Sequence, residues 1–186
     1  MNDKPNAQRY GWQLLETRYP FQHPVFSVRQ DLLRWPDGHE QPFAYVEEKR
    51  PAVFILPVTS AGEIVLIRQY RYIADAWFWE LPAGGTHDYI GDDWLGAAQR
   101  ELHQEVGGTS ERWQQLNTFR PGIGLLDMEM HLFIAWDVQL SQADPELWEK
   151  IEIHPLPKAR ALEMARDGTI VDALSAYCLL RCESIL

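Results

Sequence analysis

The chain has 186 residues, of which 46% are hydrophobic, 12% aromatic and 24% charged, a balance that suits one compact domain with a proper core and excludes a disordered chain or a disulfide scaffold. Seventeen Lys and Arg against twenty-seven Asp and Glu leave a formal net charge of -10. Nucleic acid and anionic membrane are held mainly by basic patches, so neither is an expected partner; an acidic enzyme or a protein-binding domain fits better.

No internal repeat, low-complexity tract or Ser/Gly linker divides the chain. Its first residues, MNDKPNAQRYGW, lack the apolar stretch of a signal peptide, and runs such as Ala52-Val53-Phe54-Ile55-Leu56 are too short to span a bilayer. A cytoplasmic protein is therefore expected.

In chain order, residues 25–33 are rich in β-formers, Trp35-Pro36-Asp37-Gly38 is turn chemistry, and 43–48 return as an antiparallel partner, which predicts a hairpin. Residues 52–59 and 63–70, joined at Ser60-Ala61-Gly62, predict the central hairpin of a buried sheet. Trp77-Phe78-Trp79-Glu80-Leu81-Pro82 then leads into Ala83-Gly84-Gly85. Asp92 or Asp93 can cap a helix running to Val106, in which Leu95, Ala98, Leu102 and Val106 recur at helical spacing as the buried stripe, and Gly107-Gly108 stops it. A strand at 113–119, a loop at 120–127, a strong strand at 128–138 and a short one at 150–153 follow. Helical patterns around 158–166 and 171–181 are separated by Asp167-Gly168. Cys178 and Cys182, four apart, share a face of the last helix. Packing as small buried hydrophobes in a reducing compartment outweighs a redox or metal pair there.

On the central helix Glu101 and Glu105 stand at i and i+4, with Gln104 beside them. That face can gather oxygen ligands for a hard divalent cation such as Mg²⁺, and Arg100 can orient Glu101 by a bidentate pair. Two glutamates at this spacing are by themselves more often a solvated face, so the flanking residues decide.

Those flanks carry a resemblance. Leu81-Pro82-Ala83-Gly84-Gly85 followed by Ala97-Ala98-Gln99-Arg100-Glu101-Leu102-His103-Gln104-Glu105-Val106-Gly107 resembles the Nudix box, G-x5-E-x7-R-E-U-x-E-E-x-G-U with U apolar. Leu66-Ile67-Arg68-Gln69-Tyr70-Arg71 before the box, Glu80-Leu81-Pro82-Ala83-Gly84 at its entry, Met130-His131-Leu132-Phe133-Ile134-Ala135 after it and the tail Asp167-Gly168-Thr169-Ile170-Val171-Asp172-Ala173 are similar to one branch, the ADP-ribose and nucleoside-diphosphate-sugar pyrophosphatases. The resemblance covers residues 20–182.

It implies an α/β fold, the Nudix α/β/α sandwich with a mixed central sheet, carrying an N-terminal antiparallel strand extension over 1–48 as a dimerisation element ahead of a Nudix domain at 49–186. It implies a homodimer that uses Mg²⁺, with Mn²⁺ as the alternative, to cleave the diphosphate of ADP-ribose or a related nucleotide sugar into a nucleoside monophosphate and a sugar phosphate. By the same resemblance Glu101 and Glu105 are the main metal ligands, with the Ala83 carbonyl and the Gln104 amide oxygen completing the set. Arg71 and Arg50 match arginines that contact the diphosphate, and Tyr45 holds an aromatic position that stacks on adenine in some relatives. Counting back from His131, the family's catalytic glutamate falls on Met128; its neighbours Glu129, preferred, and Asp127 are the candidate bases. His131 itself reads as a packing residue, and His87, His103 and His154 form no ligand spacing.

Four departures separate the chain from the pattern. The loop between Gly84 and Asp92 is two residues longer, Asp92 replaces a glutamate, Gly108 replaces the final apolar residue, and Gln104 replaces the first of two adjacent glutamates. Opposite unit charges about 4 Å apart interact by roughly 4 kcal/mol at an effective dielectric of 20, so the amide at Gln104 weakens a cation site. A second reading follows, a degenerate Nudix domain that binds a nucleotide or a protein partner without turnover. A third keeps the enzyme and changes the substrate, for example to GDP-mannose. The chain has no P-loop pattern, which argues against ATPase or kinase chemistry.

Overall fold

The computed structural model describes residues 4–48, 50–86 and 93–186. In chain order its elements are α1 (Pro5–Arg9), β1 (Gln13–Gln22), β2 (Phe26–Arg34), β3 (Glu40–Glu48), β4 (Ala52–Thr59), β5 (Glu63–Arg71), β6 (Ala76–Glu80), β7 (Ala83–Gly85), α2 (Trp94–Val106), β8 (Gly108–Thr109), β9 (Arg112–Phe119), β10 (Leu126–Asp127), β11 (Met130–Leu140), β12 (Ile151–Pro157), α3 (Lys158–Arg166) and α4 (Ala173–Cys182). They form two compact units, Met1–Arg50 with Arg120–Glu129, and Pro51–Phe119 with Met130–Leu186. The N-terminal unit is thus wider than the extension expected over 1–48, because β10 hydrogen-bonds alongside β3 and draws residues 120–129 with it.

In the N-terminal unit the sheet order is β1-β2-β3-β10, antiparallel except for the β3/β10 pair. The predicted hairpin is β2 and β3, closed by the Trp35 N–H donating to the His39 carbonyl at 2.8 Å and by Gly38 at φ 86°. β1 was not anticipated. Nine of its ten residues are exposed, so it has no apolar alternation to read and is held by its ladder to β2. Arg29 is buried and stays charged through bonds to Asp31 at 2.9 Å and Glu47 at 3.0 Å, as a buried cation must.

The larger unit is built on a mixed eight-stranded sheet with the path β12-β5-β4-β11-β8, while β6 pairs with β5, β7 with β4 and β9 with β11. β4 and β11 run parallel, and six of the eight β4 residues are buried, the pattern of a strand covered on both faces. On one face Val53, Ile55, Val65, Ile67, Phe133 and Ala135 pack against Ala97, Ala98, Leu102 and Val106 of α2; Leu102→Ala there costs about 2–5 kcal/mol. The other face is covered by α3 and α4, which contact β5, β12 and β4. The architecture is the helix, sheet, helix layering expected from sequence.

The buried stripe of α2 differs from its prediction. Leu95 is 40% exposed, whereas Ala97 and Glu105 are buried. Trp94 covers the first turn in its place, stacked on His131 with ring centroids 4.6 Å apart. Asp93 caps the helix, accepting from the Gly96 N–H at 2.9 Å; Asp92, the other candidate cap, lies outside the described residues. β11 starts at Met130 rather than 128. β12 extends to Pro157 through two prolines, which an edge strand tolerates because its outer N–H groups need no partner. Among the described residues no helix is long and apolar enough to cross a membrane.

Candidate active site

Glu101 and Glu105 leave the same face of α2 and close on the turn that ends β6. The Ala83 N–H donates to Glu105 Oε2 at 3.0 Å. Glu101 presses on Gly84 so closely that a Cβ there would lie 2.2 to 2.6 Å from its carboxyl atoms. Glycine is required at 84 by this approach, not by its dihedrals. Arg100 holds the arrangement with one nitrogen, Nη2, which donates to Glu101 Oε1 at 2.6 Å and to the Gly85 carbonyl at 2.8 Å. The expected bidentate pair is replaced by this bridge between helix and turn.

This face is not solvated. Glu105 is 2% exposed, and burial, reinforced by the like charges of Glu149 and Glu101, pushes its carboxyl well above the usual carboxylate range against the Ala83 N–H and Arg71. Burial also raises Glu101, with Arg100 opposing and Glu149 and Glu146 adding to the rise. Glu146 and Glu149 were not singled out from sequence, since two acids in a loop after a strand carry no motif. Their charges are felt at the site because the segment after β11 is tied to the end of α2. The Ser141 N–H and Oγ donate to the Gly107 carbonyl at 2.9 and 2.8 Å, and the Asp144 N–H donates to the Gln104 carbonyl at 3.0 Å.

Arg71 donates to Glu80 through Nε at 2.9 Å and Nη2 at 2.5 Å. Its hydrogen bonds to Glu80 outweigh burial and raise its pKa further, and Glu105 and Asp172 add to the effect. The Arg71 side chain is 47% exposed, and Nη1 makes neither of the two bonds to Glu80. Arg50 is exposed at the end of the N-terminal unit, next to Lys49, which lies outside the described residues, as do His87, Asp88 and Asp92. Tyr45 is buried within that unit, with Lys4 Nζ 4.8 Å and the Arg29 guanidinium 5.7 Å from its ring centroid. It lines a cavity of about 250 Å³ together with Trp12, Phe43, Asp31, Arg120 and Asp127. Glu129 and Asp127, the expected bases, both pair with Arg120 at 3.0 Å inside the N-terminal unit. His131 is occupied by its stack on Trp94, and the two cysteines are free and buried.

The donor set suits a particular kind of cation. Among the described residues no group of three or more His, Cys, Asp or Glu side chains is placed to hold a metal ion. Two carboxylates against a glycine turn are an open set, the kind that suits Mg²⁺, which keeps waters and shares substrate phosphate oxygens. The like charges of Glu101 and Glu105, opposed by Arg100 and Arg71, also call for added positive charge.

The family model described as the NUDIX domain matches residues 48–174. The chain is 28% identical over 162 residues to an ADP-ribose pyrophosphatase of Bacillus subtilis, covering 86% of this chain and 85% of that protein. It is also 28% identical over 145 residues to CMP-5'-(N-acetyl-N-hydroxy-3-aminopropyl)phosphonate hydrolase of Streptomyces rubellomurinus, covering 78% and 69%. A solved structure titled as an ADP compounds hydrolase shares the fold, with a TM-score of 0.82 at 20% identity over 94% of both chains. With well over half its residues inside the family match, the chain belongs to the NUDIX domain family and is a Nudix hydrolase whose sequence is similar to that of an ADP-ribose pyrophosphatase.

Proposed function

We propose that the protein is a divalent-cation-dependent pyrophosphohydrolase that uses Mg²⁺ or Mn²⁺ to cleave the diphosphate of ADP-ribose or a related nucleoside diphosphate sugar, releasing a nucleoside monophosphate and a sugar phosphate. The observation that carries this reading is the closure of Glu101 and Glu105 on the Ala83–Gly85 turn, with like charge from Glu146 and Glu149. Those two carboxylates supply negative charge that Gln104 lacks, which favours turnover over a degenerate binding domain. Glu101, Glu105, the Ala83 carbonyl and the Gln104 amide oxygen would hold the cation. When bound, it would neutralise diphosphate oxygens and acidify the attacking water.

Arg71 grips the diphosphate with the donors not bonded to Glu80, and Arg50 adds charge. We assign proton acceptance from the water to Glu129, oriented by its pair with Arg120, with Asp127 as the alternative. Tyr45, in its cavity beside Trp12 and Phe43, supplies an aromatic wall for a nucleobase. The exposed Tyr19, Phe21 and Phe43 of the N-terminal unit fit burial against a second copy in a homodimer.

The test is hydrolysis of a panel of nucleotide sugars and dinucleotides in Mg²⁺ and in Mn²⁺, beside Glu105→Gln. Turnover of at least one compound is expected, lowered about 10³-fold by the substitution, several kcal/mol of transition-state stabilisation. Binding of a nucleotide with no turnover in either cation overturns the reading.

A further inference from the structure

The turn at 81–84 that closes the site is held from an element far away in sequence. The Leu81 N–H donates to Ser175 Oγ at 2.9 Å, across 94 positions. The Ser175 hydroxyl in turn donates to Asp172 Oδ2 at 2.6 Å, and the same oxygen accepts the Ser175 N–H at 2.9 Å as the N-cap of α4. Just past this bond the peptide joining Pro82 to Ala83 is held at both ends, the Ile55 N–H donating to the Pro82 carbonyl at 2.9 Å and the Ala83 N–H donating to Glu105 at 3.0 Å.

Capping α4 needs only the Ser175 N–H, and any residue supplies that. The hydroxyl is a separate feature. Ser175 is 0% exposed, and a buried hydroxyl is costly unless both its donor and its acceptor functions are used. Here the donor function goes to Asp172, which fixes the rotamer, and an acceptor lone pair is thereby aimed at Leu81. The chain Asp172, Ser175, Leu81 ends two residues before the carbonyl assigned to the cation. Leu81 is itself 0% exposed, and Pro82 has a fixed φ, so a shift at Leu81 passes to Ala83 with little slack.

We infer that Asp172 and Ser175 are positioning residues of the cation site, setting the place of the Ala83 carbonyl and of the Ala83 N–H that holds Glu105. The inference rests on the cation-site reading of Glu101 and Glu105. It makes α4 part of the site without any contact to substrate.

The experiment compares wild type, Ser175→Ala and Ser175→Cys by three measurements: Mn²⁺ affinity by calorimetry, amide hydrogen exchange at Leu81 in the metal-free protein, and the split between kcat and KM. Ser175→Ala is expected to weaken Mn²⁺ binding about tenfold, within the range that outer-shell partners of metal ligands command. It is expected to speed exchange at Leu81 and to lower kcat at limiting Mn²⁺, with recovery at excess Mn²⁺ and little change in KM. Ser175→Cys, which keeps a weak acceptor, falls between. Unchanged Mn²⁺ affinity in Ser175→Ala, with only a lower Tm, overturns the inference and leaves the cation site standing. Wild-type protein that takes no Mn²⁺, or whose Mn²⁺ binding survives Glu105→Gln, overturns the site reading and the inference with it. Should Ser175→Ala fail to fold, Asp172→Ala frees the same hydroxyl at the surface end of the chain; a weaker Mn²⁺ affinity there supports the inference and an unchanged one overturns it.

Discussion

Glu105 is a constrained side chain of the site, buried on a helix face, bonded to the Ala83 N–H and subject to the like charges of Glu149 and Glu101. In the absence of a cation the fold prefers it as a neutral acid. A carboxyl raised above its ordinary value of 4.5 contributes stability that is fully present below that value and is lost as pH rises through the raised one. Glutamine has the shape of the neutral acid and cannot ionise. In a chelator, then, Glu105→Gln is expected to melt no lower than wild type, and the stability lost by wild type on going from acid to neutral pH is expected to be smaller in the variant. Parallel melting curves for the two proteins across that range contradict the assignment. The cysteines show the opposite use of burial: Cys182 is pushed up to about 11 and Cys178 higher still, so both are thiols at neutral pH and serve as small apolar groups.

At the scale of elements, α2 organises the site twice, through its acidic face and through its end. Gly107 caps it at φ 63°, and a Cβ there would lie 2.3 Å from the Ser141 carbonyl oxygen. Gly107→Ala is expected to cost more than about 1 kcal/mol in urea unfolding. It is also expected to reduce kcat beyond that loss, because residues 141–149 carry Glu146 and Glu149 and are tied to α2 at Gly107 and Gln104. A variant destabilised in urea with wild-type kcat contradicts the part given to that segment. The extents of β4 and α3 were readable from sequence, since a doubly buried strand and a helix ending at Asp167-Gly168 leave clear patterns. β1 was not, because an exposed strand held by its ladder has no periodicity. Leu95 misled for a related reason: spacing gives the period of a helix, while the width of the stripe depends on Trp94 reaching over the first turn.

On the scale of the whole molecule, the charge of -10 has a location. The stretch from Asp75 to Glu105 holds seven acids and one base, Arg100, and within it Glu101 feels the like charges of Glu149 and Glu146, and Glu105 that of Glu149, from another segment. The box and its flanks made Glu101, Glu105 and Ala83 legible, because helical spacing and a glycine turn are written in consecutive residues. Glu149 and Ser175 were illegible, because they arrive through backbone hydrogen bonds and helix caps that leave no fixed spacing to the box. On the proposed reading, an acidic protein that handles an acidic substrate needs cations beside Glu101 and Glu105. Calorimetric titration of Mn²⁺ into wild type, Glu101→Gln, Glu105→Gln and Glu149→Gln tests that requirement most directly. Saturable binding by wild type, lost in Glu101→Gln and Glu105→Gln and weakened in Glu149→Gln, is the expected result; no binding by wild type, or equal binding by all four proteins, would contradict it.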